Sequence, residues 1–97
     1  MKNIIEINDS KNITTILNRA FMTVAQQYNY TKDNAPEFPA FINHNIIEKQ
    51  LISGLKMYGY KMNTEIVACA GYSYNKDQVY FIERLATLPE YRHLRRV

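Results

Sequence analysis

Residues 80–97 read YFIERLATLPEYRHLRRV. The first part is dense in β-branched, aromatic and other apolar residues, which predicts a strand, taken here as Val79–Leu88. Pro89 lacks an N–H for a sheet ladder and ends it. A basic turn follows, carrying Arg92, His93, Arg95 and Arg96.

Working upstream, the period of the apolar residues is two. Glu65–Tyr74 alternates, with Ile66, Ala68, Ala70 and Tyr72 on one face and Val67, Cys69, Gly71 and Ser73 on the other. Leu55–Met62 forms a tyrosine-rich strand before it. Asn63-Thr64 and Asn75–Asp77 are short turns, and short turns between neighbouring strands imply an antiparallel meander. Earlier still the period changes. Ile13, Ile16, Leu17, Ala20, Phe21, Val24, Ala25 and Tyr28 fall at offsets 0, 3, 4, 7, 8, 11, 12 and 15, one face of a helix. Thr14, Asn18, Arg19, Gln26 and Gln27 are expected on its opposite face. Asp9, Ser10 and Asn12 are good N-caps for it. A second helix is expected from an Asn43 cap to Ile52, with Gly54 at the C′ position. Asn3–Asn8 reads as a first short strand. The order β-α-α-β-β-β is an α+β plan, an antiparallel meander packed against two helices.

Between the helices, Asn29–Pro39 is a loop interrupted by Pro36 and Pro39. Phe38 and Phe41 either pin it to the core or form a wall of a substrate groove. Ninety-seven residues make one domain, 1–97, with a modest core. Hydrophobic residues are 46% and charged residues 22%, which fits a globular chain rather than a disordered one. The formal charge of +3 is concentrated in the last residues, not in a nucleic-acid stripe, so no nucleic-acid partner is expected. One cysteine, Cys69, leaves no intramolecular disulfide and no cysteine metal cluster. His44 and His93 lack metal-ligand spacing, so no metal is expected. No run of residues is long and apolar enough for a signal peptide or a membrane span, and the cytoplasm is the expected compartment.

The run Leu85-Ala86-Thr87-Leu88-Pro89-Glu90-Tyr91-Arg92 resembles the GNAT superfamily of acyl-CoA-dependent N-acetyltransferases. There a strand ending in hydrophobic-x-Pro-x-Tyr-Arg leads into a glycine-rich loop and a helix. The element order here is similar to the N-terminal half of that fold. The resemblance implies acetyl transfer from acetyl-CoA to a small-molecule or peptide amine. It implies that the backbone at Leu85, Thr87 and Leu88 pairs with the pantetheine arm, and that Arg92 leads the pyrophosphate loop. It also makes Glu83 a candidate general base, which would take the amine proton. The other reading of Glu83 is a solvent-facing carboxylate paired across the sheet with Lys61 or Lys76.

The family's glycines are replaced. Arg95 and Val97 stand at those positions, and a β-branched residue is poor where a backbone must approach phosphate closely. The basic cluster is thus a phosphate site rebuilt from side chains, a general anionic contact, or a solvated tail. The resemblance implies an acyl-CoA site incomplete at its C-terminal side and an isolated chain without activity. Strand Val79–Leu88 would then be an exposed edge, and a homo-oligomer, most simply a dimer, is expected to cover it. The alternative function is a non-catalytic oligomeric remnant or interaction module that uses this edge.

Overall fold

The computed structural model describes residues 3–74 and 80–96, with the side chains of 93–96 left aside. The expected turn at Asn75–Asp77, the strand start at Val79, and the side chains of Lys76, His93, Arg95, Arg96 and Val97 therefore lie outside the described residues.

The element order is β1 (Ile4–Ile7), α1 (Ser10–Gln27), α2 (His44–Ile52), β2 (Lys56–Met62), β3 (Glu65–Tyr74), β4 (Tyr80–Thr87) and a terminal 3-10 turn, Pro89–Arg96. The strands form one antiparallel sheet in the order β1-β2-β3-β4. The expected α+β plan is the observed one, and the strand ends shift by a residue or two.

Each helix is closed at both ends by its own sequence. The Asp9 carboxylate accepts from the Lys11 N–H at 3.0 Å and caps α1. Asn43 does the same for α2 through the Asn45 N–H at 2.9 Å. Both C-termini are Schellman motifs. After α1, Asn29 turns left-handed at φ 59°, and the Tyr30 N–H returns to the Ala25 carbonyl at 2.8 Å. After α2, Gly54 takes φ +118°, and the Leu55 N–H returns to the Gln50 carbonyl at 2.9 Å. Gly54 therefore sits at the expected C′ position, where only glycine is unstrained.

Both helices cover the same face of the sheet. Ile13, Leu17, Ile47, Met57 and Leu88 are the largest fully buried side chains. They meet Val67, Cys69 and Ala86 in one core. The face of β3 carrying Val67, Cys69 and Gly71 is the core face. Ile66, expected on the other face with Ala68, Ala70 and Tyr72, instead packs against this core, beside the register shift between Tyr60 and Lys61. Two expectations for α1 are corrected. Thr14 is buried, because its hydroxyl donates to the Ser10 carbonyl at 2.7 Å and needs no water. Tyr28, the C-cap residue at the end of the apolar stripe, is exposed. Asn18 is half-buried, and its amide donates to the carbonyls of Pro39 (2.8 Å) and Ile42 (3.3 Å). That side chain ties the inter-helix loop to α1.

The opposite, outer face of the sheet has no cover from the described residues. Ile4, Tyr58, Tyr60, Tyr74, Tyr80, Ile82 and Leu85 are all exposed.

Candidate functional site

The site begins with a defect in β4. Cys69 pairs with Ala86 and Gly71 with Glu83, so Arg84 and Leu85 together stand opposite Ala70. Two residues against one make a β-bulge. Arg84 absorbs the extra length at φ 54°, an uncommon conformation for a residue with a Cβ. Its side chain is held from the helix side, where Nε donates to Gln50 Oε1 on α2 at 3.1 Å. Its carbonyl accepts from the Cys69 thiol at 3.4 Å. Burial pushes that thiol up to about 11, so it stays protonated and available as a donor.

Glu83 lies one residue before the bulge, half-buried. The Ser73 hydroxyl donates to its carboxylate from the neighbouring strand. Lys61 is not its partner; that residue pairs in register with Ile66 on the far side of β3. Leu85, just after the Arg84 kink, points outward and is 66% exposed. Thr87 pairs with Ala68, and Leu88 is wholly buried. The Leu88 N–H donates to the Val67 carbonyl at 2.8 Å, so this group is committed within the sheet.

Arg92 is built into the fold. Its Nε donates to the Thr87 carbonyl at 3.1 Å, and its other nitrogens reach the Ala20 carbonyl and the Thr23 hydroxyl of α1. One guanidinium therefore joins the end of β4 to the middle of α1. A second clamp lies beside it. Arg19 bridges Glu65 (3.2 Å) and Glu90 (3.1 Å), and the Tyr91 hydroxyl donates to Glu65 at 3.3 Å. The Glu65 carboxylate, with burial second, raises the Tyr91 phenol above its ordinary value.

Phe38 packs edge-on against Phe21 of α1 at 5.8 Å and against Tyr30 at 4.9 Å. The loop is pinned by its rings, and the same cluster stands at the end of α1. Among the described residues no group of three or more His, Cys, Asp or Glu could hold a metal ion, and no helix is long and apolar enough to cross a membrane.

The fold as a whole is shared with a solved structure. The chain superposes on a candidate GNAT family acetyltransferase from Staphylococcus aureus subsp. aureus with a TM-score of 0.62. The match covers 95% of this chain and 78% of that one, at 19% identity. The chain has a GNAT-like fold. No family model matches the sequence, and no curated protein matches it. Glu83, Leu85 and Thr87 lie along β4, and Leu88 falls just past its end. A bulge in this strand is what the resemblance implies; its position at Arg84, the Ser73–Glu83 contact and the inward commitment of Arg92 are what the sequence reading missed. A charged residue inside a regular alternation gives no sign of a positive φ.

Proposed function

We propose that this domain descends from acyl-CoA-dependent N-acetyltransferases and keeps the strand that pairs with the pantetheine arm but not the phosphate grip. The observation that carries this reading is the β4 bulge. It turns backbone groups away from the ladder at the sheet edge, where an amide-bearing arm could add to the strand. The residues fit one part of acetyl-CoA and not the other. Leu85 and Thr87 lie along β4 at the sheet edge for the pantetheine amides, with the Thr87 carbonyl already accepting from Arg92. The pyrophosphate would need glycine-rich backbone after Arg92, and that stretch is His93-Leu94-Arg95-Arg96. Arg92 already donates to three acceptors of this chain.

Acetyl-CoA would supply the thioester. Glu83, oriented by Ser73, is the candidate group to take the acceptor amine's proton. A coenzyme A donor also fits the expected place in the cytoplasm.

A nuclear magnetic resonance titration of the whole chain tests the reading. Acetyl-CoA should shift the amides of 83–87 with a dissociation constant on the order of 1 mM, about −4 kcal/mol. Acetyl-pantetheine, which lacks the phosphates, should bind within a few-fold of it. No shift with acetyl-CoA at several times that concentration rejects the proposal. A constant near 1 μM, about −8 kcal/mol, would instead mean a complete site.

A second reading is a non-catalytic interaction module. It is favoured by the position of β4 at the sheet edge beside an uncovered apolar face.

A further inference from the structure

The acyl-transfer reading uses the backbone edge of β4 and gives the side chains of the sheet's outer face no role. Ile4, Tyr60, Tyr74, Tyr80, Ile82 and Leu85 are between 42% and 73% exposed on it. At roughly 200 Å² for a fully exposed side chain of this size, they leave about 700 Å² of mostly apolar surface open to water. That exceeds the roughly 300–600 Å² of the largest patch on a typical monomer. It approaches the roughly 800 Å² that each partner buries in a standard stable interface.

The patch is shaped to meet its own copy. Ala68 and Ala70 floor a groove of about 210 Å³, walled by Tyr58, Tyr60 and Ile4 on one side and Leu85 on the other. A projecting leucine and an apolar hollow thus lie side by side, an arrangement that a two-fold contact can use. The charge is also balanced. In register with Tyr58 and Tyr72, Glu6 and Lys56 share this face, one acid and one base. Two such faces can meet without like-charge repulsion, although the whole chain carries +3.

We propose that two copies of this chain pack through the outer faces of their sheets, Leu85 of each seated in the Ala68–Ala70 groove of the other. The interface has an apolar, tyrosine-rich centre and a polar rim at Glu6 and Lys56. The proposal deepens the interaction-module reading by naming its surface, and it does not depend on acetyl-CoA binding.

Sedimentation equilibrium of the whole chain at micromolar concentrations reads the outcome. The wild type should weigh twice the 11.4 kDa of one chain. Leu85→Arg and Ile82→Arg should each raise the dimer dissociation constant at least about 30-fold, the loss of a central contact. Ile52→Arg, on the exposed side of α2, should leave it unchanged. A wild-type monomer overturns the proposal, whatever other partner the face may take, and so does a dimer that Leu85→Arg and Ile82→Arg leave intact. Should either variant fail to fold, tyrosine nitration of the wild type decides. Tyr60 and Tyr80 should be protected as concentration rises while Tyr28, in the loop after α1, is not. Equal reactivity at all concentrations overturns the proposal as well.

Discussion

Arg92 illustrates how one side chain can be read two ways. The family resemblance makes it the leader of a phosphate loop. In the fold its donors are spent on the Thr87 and Ala20 carbonyls and the Thr23 hydroxyl. Hydrogen bonds from a charged donor are worth about 1.5–3 kcal/mol each when removal leaves a partner unpaired. Arg92→Ala is therefore expected to lower unfolding free energy by about 2 kcal/mol, measured by urea denaturation. Arg92→Lys should recover less than half, because an ammonium cannot span the acceptors as the planar fork does. Cys69 makes a second residue-scale test. Its pKa rises from 9.0 to about 11 because burial penalises the thiolate. A raised folded-state value means the thiol's contribution is complete below pH 9 and is lost as pH climbs from 9 to 11. Stability should thus fall by about 2 kcal/mol over that window in the wild type. Urea melts of Cys69→Ala should show a clearly shallower fall.

At the level of elements, the sheet owes its close packing to small residues on the core face. A Cβ added to Gly71 would meet the Met57 sulfur and stand 2.8 Å from the Lys56 carbonyl. The latter is backbone and cannot rotate aside. One added to Gly59 would meet side chains, Ile7 Cδ1 at 2.6 Å and Ile66 Cγ2 at 2.8 Å. Gly71→Ala is expected to cost about 2 kcal/mol by overpacking, and Gly59→Ala less, since two isoleucines can repack. Chemical denaturation of the two variants in parallel would order them. The β4 bulge belongs to this scale too. It is built from Arg84, whose side chain is anchored on Gln50 of α2. Gln50 and Arg84 are far apart in sequence, and neither has a pattern that marks it. The alternation of β3 from Val67 onward, the stripe of α1 and both Asn and Asp caps are legible because each depends on near neighbours only. The bulge depends on a helix meeting a strand.

For the whole molecule, the asymmetry of the sheet is what matters. Two helices bury one face and leave the other, with its tyrosine ladder, open. Tyr58 stacks on Tyr72 at 6.3 Å, and Tyr72 meets Tyr80 edge-on at 5.7 Å. Interaction with Tyr72, ahead of burial, raises the Tyr58 phenol, so its hydroxyl stays protonated at neutral pH. If the face is a dimer contact, association is linked to folding, and the midpoint of thermal unfolding rises with concentration. Calorimetry should show an increase of several degrees over a hundredfold concentration range for the wild type, and none for Ile82→Arg. The sequence by itself determines the order and type of the elements and their caps, because these follow from local periodicity and local hydrogen bonds. It also carries the likeness that places Glu83, Leu85 and Thr87 on one strand. Only the tertiary structure decides that Glu83 meets Ser73, that Arg92 turns inward to α1, and that β4 breaks its ladder at Arg84. Those outcomes depend on which distant group lies within hydrogen-bonding reach, and no run of neighbouring residues encodes that distance.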